Sequence, residues 1–382
     1  MKNKFILVAL SIAIATISMR AVNNMIVTTL PLFGKYILHF SNGEIGLLTS
    51  VSFITTFLAT SFINPRLSFK TRKISFILST FLIILILILI FYSNYITIWI
   101  FSILAGFSYG LITPNIITSA SLIEERKLAE RLLAIYSVSL SLSLVLGPLL
   151  ETFLLKYFNY REIFLLFVPI ALPLFIMSFK TKFPEGKNEK FSFKEINKKP
   201  LFASVINVMI YNIPFSIITV YAAIYAIDVY HVSGTLAYSI YVPFFTISFI
   251  TRFLMVIRPF KDLRKPITLS AILTALGVIL LAYPSNFYFI IFSMALLGIP
   301  HGAIYPISTI IISRGTKINE RNAVNSYFVA FGNIIVIVVP PIFGFLIPYL
   351  GYRLLIASLV FPVIVFFLIL QKKYFKELFM KV

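Results

Sequence analysis

The chain has 382 residues, 59% hydrophobic and only 12% charged, where a soluble domain has roughly 25% charged. So few charges do not cover that much apolar surface in water, which excludes a soluble globular protein and makes lipid the expected solvent. The formal net charge of +20 raises nucleic acid as a partner, and the absence of cysteine excludes disulfides and thiolate metal sites.

Continuous apolar runs recur along the chain. Each is long enough to cross a ~30 Å hydrocarbon core at 1.5 Å per residue, whereas barrel strands would alternate in segments of about 10 residues. Twelve helical spans are expected, at 5–34, 43–64, 74–93, 96–121, 132–155, 162–179, 200–228, 235–257, 267–283, 286–313, 322–348 and 353–370. The run "ISFILSTFLIILILILIFYS" (74–93) is the plainest. The start, "MKNKFILVALSIAIA", is like a secretory signal in its basic tip and apolar run. No small-residue cleavage pattern follows it, and it has a partner helix in the repeat described below, so it reads as the first span. Between spans 6 and 7, residues 180–199 ("KTKFPEGKNEKFSFKEINKK") lose the apolar character and hold seven Lys. The expected organisation is a six-helix bundle over 1–179, a cytoplasmic linker over 180–199 and a second bundle over 200–382.

Of 33 Lys and Arg, Arg20 and Arg252 fall inside spans. Lys35, Lys156, Arg161 and Arg353 fall in loops on one side, and the other 27 lie on the opposite side with both termini. That asymmetry places both termini in the cytoplasm. The basic excess is then topological, with anionic lipid headgroups rather than nucleic acid as its partner; the expected location is the cell membrane.

A repeat runs through the chain at a distance of 192. "GFSYGLITP" (106–114) returns as "GIPHGAIYP" (298–306), a G-x-x-x-G-x-x-x-P pattern written twice. Pro148 falls on Pro340, and "YFNYR" (157–161) on "YLGYR" (349–353). Arg66, Arg72 and Lys73 fall on Arg258, Arg264 and Lys265, and "AERLLAIY" (129–136) is echoed by "NERNAVNSY" (319–327). The chain reads as a duplicated six-helix unit, its halves parallel repeats about an axis along the membrane normal, with an expected seam in which a substrate is held. Spans 3, 6, 9 and 12 are almost bare of polar groups beyond Ser, Thr and Tyr, while Arg, Asn and His concentrate in spans 1, 4, 7 and 10. Gly106 and Gly110, four apart, share one helix face and allow close backbone approach, and Pro114 and Pro306 bend their helices.

Twelve spans in two halves, the basic loop after span 2, the span-4 motif and "LGPLL" (146–150) in span 5 together resemble the major facilitator superfamily, over essentially the whole chain. The resemblance implies an all-α membrane protein working by alternating access, with helices 1, 4, 7 and 10 lining a central cavity. It also implies gating roles for the basic loops. The family's loop after helix 2 reads Gly-x-x-x-Asp-Arg-x-Gly-Arg-Arg/Lys. "NPRLSFKTRK" (64–73) keeps Arg66, Arg72 and Lys73 without the acid and the glycine, and "IRPFKDLRK" (257–265) keeps Arg258, Asp262 and Arg264 without the glycine. An arginine found in proton-linked exporters is Ser102 here. The antiporter-type helix-5 signature is represented by Gly147 and Pro148, with Glu151 and Thr152 where its glycine pair would stand.

Arg20 lies about 15 residues, or roughly 22 Å, into the first span, where a charge is costly unless paired or hydrated. Asn23 and Asn24 follow on the same face, and Asn212 is the repeat mate of Arg20. Either Arg20 and these amides meet an anionic or hydrogen-bonding substrate, or Arg20 pairs with an acid for structure. Glu151 is the candidate acid; one reading makes it a proton-coupling group moving between two environments, the other an interfacial Glu near Lys156. His301, the mate of Tyr109, is either a proton or substrate group or a packed residue. Tyr109, Asn115, Tyr211 and Tyr305 are further substrate contacts. His39 and His231 are expected at the outer interface. Arg252 and Asp228 lie near span ends, where long side chains snorkel.

No Walker loop, His-Glu-x-x-His, G-x-S-x-G or acid cluster is present in the sequence, and no cofactor is expected. The expected function is secondary transport of a small organic solute, proton-coupled and outward, by a non-enzyme that works as a monomer. The alternatives are a facilitative or proton-linked importer of a small organic anion and a transport-inactive sensor or scaffold with the same fold.

Overall fold

A computed structural model describes residues 2–120, 126–181, 196–258, 260, 262–316 and 321–378. Most of the expected linker (182–195) and the start of the second "NERNAVNSY" copy (319–320) lie outside the described residues. Among the described residues the chain is helical with no strand. It divides into two compact units, Met1–Lys187 and Asn188–Val382.

The first unit holds α1 (Lys2–Tyr36), α2 (Asn42–Leu58), α3 (Phe69–Phe91), α4 (Thr97–Ala120), α5 (Arg126–Leu154), α6 (Tyr160–Leu166) and α7 (Val168–Lys180). The second holds α8 (Lys198–Tyr230), α9 (Gly234–Tyr238), α10 (Tyr241–Ile257), α11 (Arg264–Ala282), α12 (Phe287–Gly315), α13 (Arg321–Ser358) and α14 (Val360–Leu378). Each of the twelve expected spans falls on this helical chain. Among the described residues ten stretches are long and apolar enough to cross a membrane and 138–154 is a shorter apolar helix; one of the ten, Tyr327–Lys376, is 50 residues long and takes in most of the last two spans.

Five spans differ from simple rods, and proline or glycine accounts for four. Span 6 breaks at Phe167 because Pro169, in the first turn of α7, has no N–H to continue the ladder. Span 8 breaks at Ser239–Ile240, just ahead of Pro243 in the first turn of α10. Spans 11 and 12 are joined through Gly351, whose φ of 70° is a left-handed conformation that a Cβ would oppose. Span 2 ends in a wide π turn, Ala59–Ile63, and a 3₁₀ turn, Asn64–Arg66.

Duplication extends into the turns, where the two copies share little sequence. His39 and His231, 192 apart, are both left-handed (φ 58° and 52°). Two residues on, Ser41 and Ser233 each cap the next helix, their Oγ atoms accepting from the Glu44 and Leu236 N–H groups. Asn94 and Asn286 are also mates: Asn94 Oδ1 accepts from the Ile96 and Thr97 N–H groups and Asn286 Oδ1 from those of Tyr288 and Phe289. The repeated Tyr-Arg is explained too. Arg161 Nη1 donates to the Phe91 and Ser93 carbonyls at the end of α3 (2.6 and 3.0 Å) and lies 5.2 Å over the Phe33 ring. Its mate Arg353 meets Tyr225, the mate of Phe33.

The G-x-x-x-G-x-x-x-P motif places backbone against backbone. A Cβ on Gly110 would stand 2.6 Å from the Thr56 carbonyl oxygen, and one on Gly106 would collide with that of Ser52. In the second unit Gly302 faces the Ser248 carbonyl and Gly298 that of Phe244, each 192 residues on. Pro114 lacks the N–H that would bond the Gly110 carbonyl. Thr60 Oγ1 on the turn after α2 donates to that oxygen instead, at 3.0 Å, as Thr56 Oγ1 does to the Gly106 carbonyl at 2.9 Å. Gly302→Ala would put a methyl 2.5 Å from the Ser248 oxygen and 2.7 Å from Thr251 Cβ, two atoms that are not free to swing away. The expected loss is about 2 kcal/mol, read as a lower thermal unfolding midpoint in detergent; an unchanged midpoint would show that α10 and α12 do not need this close approach.

Candidate functional site

In the first unit the side chains of interest are carried by α1 and α4. Arg20 is half-buried in α1, with Asn23 half-buried and Asn24 buried beside it. Tyr109 on α4, 5% exposed, lies within the electrostatic reach of Arg20. Arg20 Nε, Asn24 Nδ2 and the Tyr109 hydroxyl are buried and have no hydrogen-bond partner among the described residues. All three carry hydrogen to donate. A buried donor without an acceptor costs about 1–3 kcal/mol, so the geometry asks for an acceptor-rich or anionic group.

Glu151, the candidate acid, is buried inside the first unit. It is 0% exposed, because it sits one turn beyond Gly147, on the α5 face turned toward α1. A Cβ on Gly147 would stand 3.7 Å from Ala21 Cα, and Pro148 follows it. Tyr160 lies within the electrostatic reach of Glu151.

Asn115 is drawn into the frame of the bundle. Its Nδ2 donates to Asn64 Oδ1 at 2.7 Å and to the Leu111 carbonyl at 2.6 Å, tying α4 to the turn after α2.

In the second unit, α8, α10 and α12 surround His301. Its ring stacks on Phe215 at 4.5 Å and lies 4.9 Å from Phe244 and 5.4 Å from Tyr211. Asn212 is half-buried, its Nδ2 3.6 Å from where a Cβ on Gly332 would stand. Tyr305 is 48% exposed, its ring against Phe328 at 5.6 Å rather than in the His301 cluster.

Other polar residues stand where the sequence raised no expectation or a different one. Asn207 Nδ2 donates to the Ile304 carbonyl (3.2 Å) and Ser308 Oγ (2.9 Å), and Ser204 Oγ to the Ser308 carbonyl (2.8 Å), a polar seam between α8 and α12. Asp228, expected to snorkel, accepts from the Tyr352 hydroxyl at 2.8 Å. Arg252, also expected to snorkel, turns its guanidinium onto α12, with Nη2 3.5 Å from the His301 carbonyl. The available signal was the repeat itself, which sets Arg252 opposite Thr60.

The basic loops differ between the units. Arg66 is exposed, Lys73 is half-buried, and Arg72 Nη2 reaches the Leu67 and Asn64 carbonyls only at 3.4 and 3.5 Å. Arg258 is exposed at the end of α10. Asp262 pairs locally, accepting from Arg264 Nε at 3.0 Å and Nη2 at 2.8 Å.

Residues 12–258 and 261–377 match the family model described as the Major Facilitator Superfamily. The chain belongs to the major facilitator superfamily. Among curated proteins no relative matches. Solved structures with the same fold include a bacterial homologue of the human lysosomal transporter Spinster (TM-score 0.75, 12% identity, 100% of both chains). A POT family transporter in complex with a thioalcohol-conjugated peptide has TM-score 0.77 and 13% identity over 98% of this chain and 96% of that one. The nucleoside transporter NupG has TM-score 0.72 and 14% identity over 96% and 99%. Superfamily members are transporters, and this one is a multi-pass membrane protein.

Arg264 holds the Asp262 carboxyl down to about 2, mainly through the side-chain bonds just described. A depressed carboxyl stabilises the folded chain above its ordinary value of 3.8, and that contribution is lost as pH falls through about 2. In Arg264→Gln, carbon-13 titration of Asp262 should show its midpoint moving up toward 3.8; an unmoved midpoint would mean that Arg264 is not the cause.

Proposed function

We propose that this superfamily member is a secondary active transporter of a small organic solute, coupled to protons, working by alternating access and moving its substrate outward. It acts as a monomer in the cell membrane with both termini in the cytoplasm, an orientation supported by the distribution of its Lys and Arg. The observation that carries the reading is the group of three buried donors, Arg20 Nε, Asn24 Nδ2 and the Tyr109 hydroxyl, deep in a membrane helix pair with no acceptor of their own among the described residues. A solute bearing a carboxylate or another strong acceptor would satisfy them. Substrate contacts are assigned to Arg20, Asn23, Asn24 and Tyr109 in the first unit and to Tyr211, Asn212 and His301 in the second.

Glu151 is the proposed proton carrier. A carboxyl buried among apolar helices holds its proton, and one opened to water releases it. Gly147 and Pro148 on the same helix support the outward direction through their likeness to the antiporter signature. An importer of an organic anion would use the same three donors in the opposite sense.

Reconstituted vesicles offered a panel of metabolites and drugs, with and without a proton gradient, test the reading. Flux should rise with the gradient in the wild type. Arg20→Ala should lower it about ten-fold or more, the loss of one hydrogen bond to a charged group, with Arg20→Lys intermediate because the ammonium keeps the charge but not the fork. A fully active Arg20→Ala would remove the site. Glu151→Gln should leave flux insensitive to the gradient while downhill exchange persists; gradient-driven flux equal to wild type would exclude Glu151 as the carrier. No flux of any compound would favour the sensor or scaffold.

A further inference from the structure

We infer that the first unit holds one anionic phospholipid at the start of α3, its phosphate gripped by Lys70 and Lys73 and an acyl chain lying along Ile74 and Leu78. This partner is a lipid and not the transported solute, and its site does not depend on the transporter reading.

The two units carry opposite charge at one point of the repeat. In the second, Asp262 accepts from Arg264 Nε at 3.0 Å and Nη2 at 2.8 Å, with Lys265 as a second cation within its electrostatic reach. Arg72 and Lys73 are the mates of that arginine and lysine, so the first unit keeps both cations. The mate of Asp262, however, is Lys70. A carboxylate is replaced by an ammonium, and residues 64–73 hold Arg66, Lys70, Arg72 and Lys73 with no acid. Among the described residues no carboxylate pairs with any of the four. Arg72 Nε is buried with no partner, and its Nη2 reaches only the Leu67 and Asn64 carbonyls, at 3.4 and 3.5 Å. Like charges gathered in so short a segment repel one another, and an anion bound among them relieves that repulsion.

The face of α3 below these lysines identifies the anion. Lys70 and Lys73, three residues apart, are neighbours on one side of the helix; Lys70 is exposed and Lys73 half-buried. Ile74 and Leu78, one and two turns beyond Lys70, continue that side and are 58% and 60% exposed. Phe81 and Leu85 extend it as further exposed apolar side chains. A membrane-length apolar stretch begins at Lys70 itself, which sets the two ammonium groups where hydrocarbon gives way to headgroups. A soluble anion would meet the cations alone. An anionic phospholipid matches both parts, with its phosphate on the lysines and a tail on the apolar stripe. The second unit offers neither. The mates of Ile74 and Leu78 are Pro266 and Ser270, both buried, and Asp262 already occupies Arg264.

Because the chain has no cysteine, Leu78→Cys places a fluorophore at a single position on this stripe. In phosphatidylcholine nanodiscs of the full chain, its quenching by brominated phosphatidylglycerol is measured against that by brominated phosphatidylcholine. Phosphatidylglycerol should be preferred about ten-fold, the contribution of two lysines near the surface. Lys70→Gln combined with Lys73→Gln should bring the two lipids close to parity, and so should Lys70→Asp, which restores the sign found in the second unit. A fluorophore at Leu269→Cys, exposed on α11 one turn beyond Lys265, should show no comparable preference. Equal preference at positions 78 and 269 would reveal a diffuse attraction to the basic surface and overturn the site. A preference untouched by the lysine substitutions, or none in the labelled parent, would overturn it as well. Millimolar inorganic phosphate should leave the preference unchanged; abolishing it would make the occupant a soluble anion and remove the lipid. If the double lysine variant does not fold, Lys70→Asp, a change at an exposed residue, decides alone.

Discussion

Two helices whose backbones touch are the constraint on which each unit is built. Glycine is needed where α4 crosses α2 and where α12 crosses α10, because the neighbour at the crossing is a carbonyl oxygen that has no alternative rotamer. Without a hydrophobic drive between helices in lipid, such close packing and the hydrogen bonds across it must hold the pair. Proline placed four residues after the second glycine adds to the bond supply by freeing that glycine's carbonyl, which the first unit meets with Thr60. The motif is thus a single device: glycine brings the backbones together, and proline exposes an oxygen at the crossing for the other helix to bond.

Much of the architecture is readable from the chain because lipid leaves few choices: a continuous apolar run must satisfy its own backbone and becomes a helix. The repeat could be read because its surviving letters are those with special geometry, such as Gly106 and Gly298 or Arg161 and Arg353. What escaped was chemistry conserved under a change of letters. Asn159 opens α6 as a side-chain cap, while its mate Gly351 turns the chain by adopting a left-handed φ. The breaks at Phe167 and Ser239 escaped because proline near the start of a helix is compatible with either a fresh start or a bend.

Side-chain direction was the harder matter. Glu151, Arg252 and Asp228 were placed by their distance from a span end, a coordinate that says nothing of which way a residue faces. Each turned out to be directed at a neighbouring helix, and for Glu151 the glycine one turn earlier identified that face. Arg20 was singled out by depth alone, since mid-membrane arginine has few harmless explanations. Asn115, a polar residue on a candidate cavity helix, spends its Nδ2 on Asn64, four residues beyond Thr60, while its buried Oδ1 has no partner among the described residues.

That last pair also gives the wide turn at Ala59–Ile63 a purpose. Thr56, Thr60 and Asn64 climb α2 and the turns beyond it in steps of four, and each meets a partner on α4. In an ordinary α-helix four residues overshoot one revolution by about 40°, so a third step would swing away from the neighbour. A looser coil winds less per residue and takes that drift back. The local unwinding is what lets the two neighbours keep a third rung in common, so removing one residue from it should disturb the Asn64–Asn115 end of the pair while leaving the glycine crossing untouched.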